Sequence, residues 1–123
     1  MRIVIADRHT EVRAALRLLL ENLDSSWSVI AEAGDLKTLQ TCGGLKDADL
    51  ILLEWSLPGL GSAAPAEKVL TVRQSGLRRI IALGSCLDDC EPAQAAGVDA
   101  FISKIEPPDR IITLLREIGQ GHP

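Results

Sequence analysis

Acidic and basic side chains follow short apolar runs at three places in this sequence. Asp7 and Arg8 follow the first run, Glu54 ends a second, and Lys104 follows a third. Carboxylates are preferred ligands of Mg²⁺, and a carboxylate can also act as a nucleophile in group transfer. The same four residues can instead neutralise one another as ion pairs. The residue types therefore predict either a reactive charged site or a set of ion pairs.

The apolar runs are predicted strands, because they are short and rich in β-branched residues. Each one is apolar throughout, which is typical of a parallel sheet covered by helices on both faces. The predicted strands are residues 2–6, 27–33, 49–54, 79–84 and 99–103.

Helices are predicted between and after these strands. Apolar residues at helical spacing indicate a first helix over residues 10–23. Asp35 is a predicted N-cap of a short helix that ends at the glycine pair 43–44, and Pro65 suits the first turn of a third helix with Gly76 as its end. The fourth helix, in the segment DDCEPAQAAG, is the weakest prediction because the segment is short and contains Pro92. The last helix is predicted to run from Pro108 to Gly119.

In open parallel sheets the working site lies in the crevice at the carboxyl ends of the strands. This rule collects residues that are far apart in the sequence into one candidate site. They are Asp7 and Arg8 from the first strand, Glu54 from the third, Gly84 and Ser85 from the fourth, and Lys104 from the fifth.

These residues, in this order, resemble the CheY-like receiver domain of bacterial response regulators, over essentially the whole chain. IADRHTEVR is similar to the acidic-pair motif, LLEWSLPGLG to the phosphoacceptor strand with its Pro-Gly turn, and GVDAFISK to the segment with the lysine. Pro107-Pro108 is similar to receivers of LuxR-type transcription regulators. The resemblance implies a (βα)5 flavodoxin/CheY-like α/β fold, with a five-stranded parallel sheet flanked by helices on both faces. Residues 1–119 are the expected receiver domain, and residues 120–123 a tail or the start of a linker.

The resemblance also implies a mechanism. In receivers an Asp accepts a phosphoryl group, Mg²⁺ bridges it to an acidic pair, a lysine contacts the phosphoryl group, and a hydroxyl and an aromatic residue respond. By position, Asp7 keeps the first acid, Arg8 replaces the second, and Glu54 stands at the phosphoacceptor. Lys104 is present, Gly84 stands at the hydroxyl position one residue before Ser85, and Phe101 stands at the switch aromatic.

These departures predict a degenerate receiver. Two acids and two bases balance without a metal, so Mg²⁺ binding and a cofactor are not expected, and no catalytic residue is assigned. Glu54 is one methylene longer than Asp, and a displacement of roughly 1 Å costs on the order of a hundredfold in rate. We therefore expect a pseudo-receiver that is not an enzyme and acts by binding a protein, either a sensor histidine kinase or an output domain. The alternatives are a receiver still phosphorylated at Glu54 and a dimerisation module of a longer regulator.

Composition sets outer bounds on these expectations. The chain has 123 residues, a net charge of −4, 46% hydrophobic residues and 24% charged residues. This balance fits one folded domain and argues against broad nucleic-acid binding, which needs a basic face. No apolar run reaches membrane-spanning length, and the first strand starts directly after Met1, so a cytoplasmic protein is expected. Nucleotide-binding motifs such as GxGxxG and GK[ST] are absent after the first strand.

Several residues carry an alternative structural interpretation. Asp7 is expected to be a cap or an ion-pair partner, and Lys104 to pair with Glu54 or Asp7. Phe101 is expected to be half-buried core, Trp55 to pack at the rim of the site, and Ser85 to replace the missing hydroxyl only if the strand end shifts. The remaining predictions are free thiols at Cys86 and Cys90, and solvated or locally capping side chains at His9 and His122.

Overall fold

The computed structural model of the chain describes residues 1–73 and 79–119. Strands and helices alternate along these residues, as predicted. The strands are β1 (Arg2–Ala6), β2 (Ser28–Ala33), β3 (Leu50–Glu54), β4 (Arg79–Gly84) and β5 (Ala100–Ser103). The helices are α1 (Thr10–Leu23), α2 (Leu36–Thr41), α3 (Pro65–Arg73), α4 (Cys90–Ala96) and α5 (Pro108–Gly119), and 3-10 turns occupy Leu45–Asp47 and Leu87–Asp89. The predicted helix end at Gly76, the tail 120–123 and His122 lie outside the described residues.

The five strands form one parallel sheet in the order β2-β1-β3-β4-β5. The predicted (βα)5 fold with a five-stranded parallel sheet is confirmed. β1, β3 and β4 are the inner strands, and β3 is buried along its whole length. All five strands point the same way, so their carboxyl ends meet at one edge of the sheet.

Each face of the sheet packs against its own group of helices. One core cluster joins alternate strand residues such as Val4 and Ile51 to α2, α3 and α4, and it contains Trp55. The other joins the intervening residues such as Ile3 and Leu52 to α1 and α5, and it contains Trp27. This alternation follows from the two-residue period of a strand. Both faces are therefore covered, as the apolar strands indicated.

β2, β3 and β5 each begin one residue later than predicted, and α4 forms although its segment contains a proline. β2 begins at Ser28 because the amide of Trp27 bonds to the carbonyl of Asp24 in a turn. α4 forms despite Pro92, because the proline lies in the first turn, where no intrahelical amide donor is required. Gly97 ends α4 in the left-handed conformation at φ 108°, and its amide bonds back to Ala93 and Gln94.

Among the residues that the structure describes, no helix is long and apolar enough to cross a membrane.

Candidate functional site

Four charged residues meet at the carboxyl edge of the sheet, where the sequence placed them. Asp7 is fully buried and Glu54 is only 4% exposed, although both are carboxylates. Charges are rarely buried to this degree without partners, because desolvation costs several kcal/mol per ion. The partners are the side chains of Arg8 and Lys104, which are 42% and 23% exposed.

Glu54 has donors on both carboxylate oxygens. Its Oε1 accepts from the backbone amide of Arg8 at 2.9 Å, and its Oε2 lies 3.1 Å from Nε of Arg8. Nε also lies 3.3 Å from Oε1, so the guanidinium spans the carboxylate. The Lys104 ammonium adds a weaker contact to Oε2 at 3.4 Å. Arg8 and Glu54 therefore form an ion pair, in agreement with the second of the two alternatives that the residue types predicted.

The Arg8 guanidinium also reaches the loop that follows β3. Its second terminal nitrogen, Nη2, donates to the carbonyl oxygen of Ser56 and lies 3.2 Å from the Ser56 hydroxyl. That hydroxyl is in turn 3.4 Å from Oε2 of Glu54. Arg8 thus ties the end of β1 to the end of β3 through one carboxylate and one carbonyl.

Asp7 is held by a second cation. Its Oδ2 lies 2.7 Å from Nζ of Lys104 and has no aligned hydrogen bond, so the ammonium charge is its partner. Its Oδ1 accepts from the backbone amide of His9 at 2.8 Å and lies 3.2 Å from Nδ1 of that ring. The predicted pairing of Lys104 with Asp7 and Glu54 is confirmed.

His9 belongs to the site, which the sequence analysis did not anticipate. Its ring is 46% exposed, which agrees with the predicted solvated side chain, and it makes no side-chain cap bond to α1, so the capping alternative is not observed. The spacing Asp-X-His is the available signal, because a turn of the chain brings such residues together.

A metal ion would need oxygen and nitrogen ligands at this edge, and three groups are close enough. Asp7, His9 and Glu54 each offer one ligand atom within 4.8 Å of the others. Both carboxylates, however, already face cations, Lys104 at 2.7 Å from Asp7 and Arg8 at 3.1 Å from Glu54. A divalent cation would have to displace both, and repulsion from them opposes its entry. In this arrangement both carboxylates already have a cationic partner.

The remaining predicted site residues lie on β4, β5 and the loop that follows β4. The backbone amide of Lys104 donates to the carbonyl of Gly84 at 2.7 Å, which joins the two strand ends. Ser85 is exposed, one residue beyond the strand. Phe101 is 3% exposed, so the prediction of a half-buried ring is wrong; it belongs to the core cluster with Trp55.

Trp55 and Lys68 form a buried pair behind Glu54. Trp55 is 3% exposed and lies in the core, so its predicted position at the rim is wrong. Lys68 on α3 is 5% exposed, donates from Nζ to the Trp55 carbonyl at 2.6 Å, and lies 4.6 Å from the centre of the indole ring. Burial lowers the pKa of the Lys68 ammonium below its usual value, and the charge of Asp89 partly opposes this shift.

Lys68 was not among the predicted site residues, although its position in the sequence carries a signal. Lys68 lies four residues before the buried Val72, so it occupies the face of α3 that packs on the sheet. Cys42, Cys86 and Cys90 are free thiols, and the prediction for the last two is confirmed.

The strand order and the site together define a class of protein. Five parallel βα units place an acid after β1, an acid at the end of β3 and a lysine after β5, all at one sheet edge. This is the architecture of a receiver domain.

Comparisons with known proteins agree with this class. No family model matches the chain. The chain is 26% identical over 121 residues to the response regulator UvrY of Escherichia coli (strain K12), covering 97% of this chain and 54% of that protein. It is 27% identical over 122 residues to the nitrate/nitrite response regulator protein NarP of the same organism, covering 97% and 55%. The chain therefore spans about half the length of the curated relatives that it matches.

A solved structure extends the likeness to three dimensions. The LuxR-family two-component response regulator from Aurantimonas sp. SI85-9A1 superposes with a TM-score of 0.81 at 26% identity, covering 98% of this chain and 86% of that one. The predicted resemblance is confirmed: the chain has the fold of a receiver domain and is similar in sequence to two-component response regulators.

Proposed function

We propose that this receiver domain signals by binding a partner protein, without Mg²⁺-dependent phosphorylation at the end of β3. The observation that carries the proposal is the Arg8 guanidinium, which contacts both the Glu54 carboxylate and the Ser56 carbonyl. Neither a cofactor nor catalytic turnover is part of the proposal.

The charge of the site supports the absence of a metal. Asp7 and Glu54 are matched by Lys104 and Arg8, each acid with a cation within hydrogen-bonding distance. A guanidinium carries one fixed positive charge and presents donors only, so it satisfies the carboxylate of Glu54 and cannot ligate a cation. Phosphoryl transfer usually takes positive charge from Mg²⁺. Here the Arg8 side chain supplies a positive charge at this position, and it cannot serve as a ligand of Mg²⁺.

The surroundings of Glu54 also argue against its role as a nucleophile. A carboxylate attacks through an oxygen lone pair, and both oxygens of Glu54 already accept hydrogen bonds from Arg8. Its carboxylate also stands one methylene further along the side chain than that of an Asp. In this arrangement Glu54 places a negative charge between two cations, and it acts as a fixed, partial mimic of the phosphorylated state.

The partner is proposed to be a sensor histidine kinase or an output domain, and the cytoplasmic location remains a prediction. Two alternatives lead to different observations. A receiver that accepts phosphate on Glu54 would gain mass when it is incubated with acetyl phosphate and Mg²⁺. A dimerisation module would show a concentration-dependent mass in solution without either reagent.

The decisive experiment is a titration with Mg²⁺ and then beryllofluoride, a phosphoryl mimic, followed by tryptophan fluorescence. A Trp27→Phe background leaves Trp55, directly after Glu54, as the only reporter. We expect no saturable change in this background. The matched variant Arg8→Asp/Glu54→Asp removes the guanidinium and restores a shorter acid, so it should bind Mg²⁺ with a saturable response. A saturable change with Arg8 and Glu54 intact, dependent on both reagents, would show that the proposal is wrong.

A further inference from the structure

The ring of Phe101 occupies the space next to Gly84 where a side chain would otherwise stand. A Cβ atom on residue 84 would lie 2.4 Å from Cζ of Phe101 and 2.9 Å from Cε2. Both distances are far below the separation of roughly 3.5–4.0 Å at which carbon atoms attract each other. Phe101 in its present position therefore requires glycine at residue 84.

The backbone gives no other reason for a glycine there. Residue 84 ends β4, and the glycines with positive φ are Gly43, Gly59 and Gly97. Glycine weakens a strand relative to β-branched residues, because it has no side chain to pack and more freedom to lose. The space that the ring needs is the remaining explanation.

The register shows how the ring is held. Ala82 on β4 pairs with Phe101 on β5, and Gly84 lies two residues further along the same face of β4. The ring thus lies over two of the smallest residues of the neighbouring strand. Ala93 of α4, fully buried in the same core cluster, belongs to the helix that covers this face. β5 is an edge strand, yet Phe101 is only 3% exposed.

The same strand ends also carry the charged site. The amide of Lys104 donates to the Gly84 carbonyl at 2.7 Å, and the Lys104 ammonium lies 2.7 Å from Oδ2 of Asp7. A change in the charged site could reach α4 along this route only if Phe101 has a second position to occupy. With no side chain on residue 84, nothing at the end of β4 pushes the ring outward.

We propose that Gly84 and Phe101 form a lock that keeps the end of β4, β5 and α4 in one conformation, whatever the state of the charged site. The regulatory role of this lock rests on the proposed function, in which a partner protein binds the domain. With the lock closed, the partner would meet the same surface in every state of the charged site. The lock itself is a statement about ring position and can be tested separately.

The composition supplies a direct probe, since Phe101 is the only phenylalanine and the chain has no tyrosine. Phenylalanine labelled with ¹³C in the ring gives NMR signals from this residue alone, with no added bulk. We expect one set of ring signals, with contacts to the Gly84 α-protons and protection from a soluble paramagnetic agent. The signals should stay unchanged when Mg²⁺ and beryllofluoride are added. Two sets of ring signals, or loss of protection on that addition, would overturn the lock.

Substitution of residue 84 provides the second test. Gly84→Thr should expose the ring to the paramagnetic agent and lower Tm by on the order of 10 °C, although threonine favours strands. Ser85→Thr adds a methyl group at the exposed neighbour and should leave both readouts unchanged. If Gly84→Thr does not fold, Gly84→Ala can be compared with Gly84→Ala/Phe101→Leu, in which the smaller side chain should recover at least half of the loss in Tm. Unchanged ring signals in the threonine variant, or no recovery in the double variant, would contradict the proposal.

The two proposals fail in distinguishable ways. A saturable Trp55 response with unchanged Phe101 signals would reject the proposed function and keep the lock. A Phe101 signal that moves without any Trp55 response would reject the lock and keep the proposed function.

Discussion

The two edges of the sheet carry similar charged pairs but bury them to very different degrees. At the amino edge, Arg2 and Asp49 form a pair whose side chains are 58% and 51% exposed. At the carboxyl edge, Asp7 is fully buried, and the Glu54 side chain is 5% exposed. Both edges belong to the same sheet, so the difference does not come from the fold alone.

The amino-edge acids have a structural role that their hydrogen bonds explain completely. Asp49 accepts from the backbone amide of Arg2 at 2.7 Å, and Asp99 accepts from that of Ile80 at 2.7 Å. Each aspartate comes one residue before its own strand and satisfies an amide of the adjacent strand. No ligand is needed to account for these residues.

The carboxyl-edge acids also accept backbone amides, but they are buried, so a hydrogen bond from an amide does not offset the cost of their charge. The free energy of burying them depends on Arg8 and Lys104, so the loss of one charged group destabilises the others. An acid at a strand end is therefore informative about function when it is buried among cations. Three experiments test this distinction between the two edges.

The largest effect is expected from Lys104→Met, which removes the ammonium that faces both buried carboxylates. Breaking a buried pair by removing one partner leaves an uncompensated charge, and we expect a loss of about 3 kcal/mol in unfolding free energy. Urea unfolding measures this loss, provided that the dependence of the unfolding free energy on urea concentration is the same in both proteins. The amino-edge control Arg2→Met should cost less than about 1 kcal/mol, because its pair is exposed. Equal losses in the two variants would remove the distinction between the edges.

An intermediate effect is expected in a double-mutant cycle of Arg8→Met and Glu54→Gln. The coupling free energy should be about 1.5–2 kcal/mol, because charge-assisted hydrogen bonds link the pair at a buried acid. The matched cycle of Arg2→Met and Asp49→Asn should give less than about 0.5 kcal/mol. In 1 M salt the amino-edge coupling should vanish and most of the carboxyl-edge coupling should remain. A carboxyl-edge coupling that vanishes with it would mean that Arg8 is an ordinary surface partner.

The smallest effect concerns Lys68, a buried cation at the carboxyl edge that has no carboxylate within ion-pair distance among the contacts described. Burial lowers its pKa from the usual 10.5 in the folded protein. Between the lowered pKa and 10.5, the unfolded chain binds a proton that the folded chain does not, so stability should rise with pH in this window. Thermal unfolding across alkaline pH measures this rise, and Lys68→Met should abolish it. If stability in this window falls with pH in the unmodified protein relative to Lys68→Met, the pKa of Lys68 is not lowered in the folded protein.

The fold was predictable from the sequence because its signals are local and repeated. The inner strands β1, β3 and β4 are short and mainly apolar, and the capping role predicted for Asp35 is confirmed by its bond to the Thr38 amide. The least certain element, α4, was obscured by Pro92, whose effect depends on its position within the helix. The ion pairs of the site were also predictable, since parallel strands must bring their carboxyl ends to one edge.

The parts that could not be predicted depend on the positions of side chains across the fold. Sequence alone does not reveal that Arg8 reaches the Ser56 carbonyl, or that the Phe101 ring fills the space beside Gly84. Trp55 and Phe101 were expected to be partly buried, and both are buried. The prediction failed because the burial of a residue within or after a strand depends on the helix that covers it. α3 and α4 cover these two, and both residues lie in one core cluster.

The placement of the two tryptophans on opposite faces of the sheet has a consequence for how the chain folds. Trp27 belongs to the core layer under α1 and α5, and Trp55 to the layer under α2, α3 and α4. With no tyrosine in the chain, each single-tryptophan variant reports on one layer alone. Refolding these two variants side by side would time the assembly of each half of the core, and a difference between the two rates would show which face of the sheet nucleates the domain.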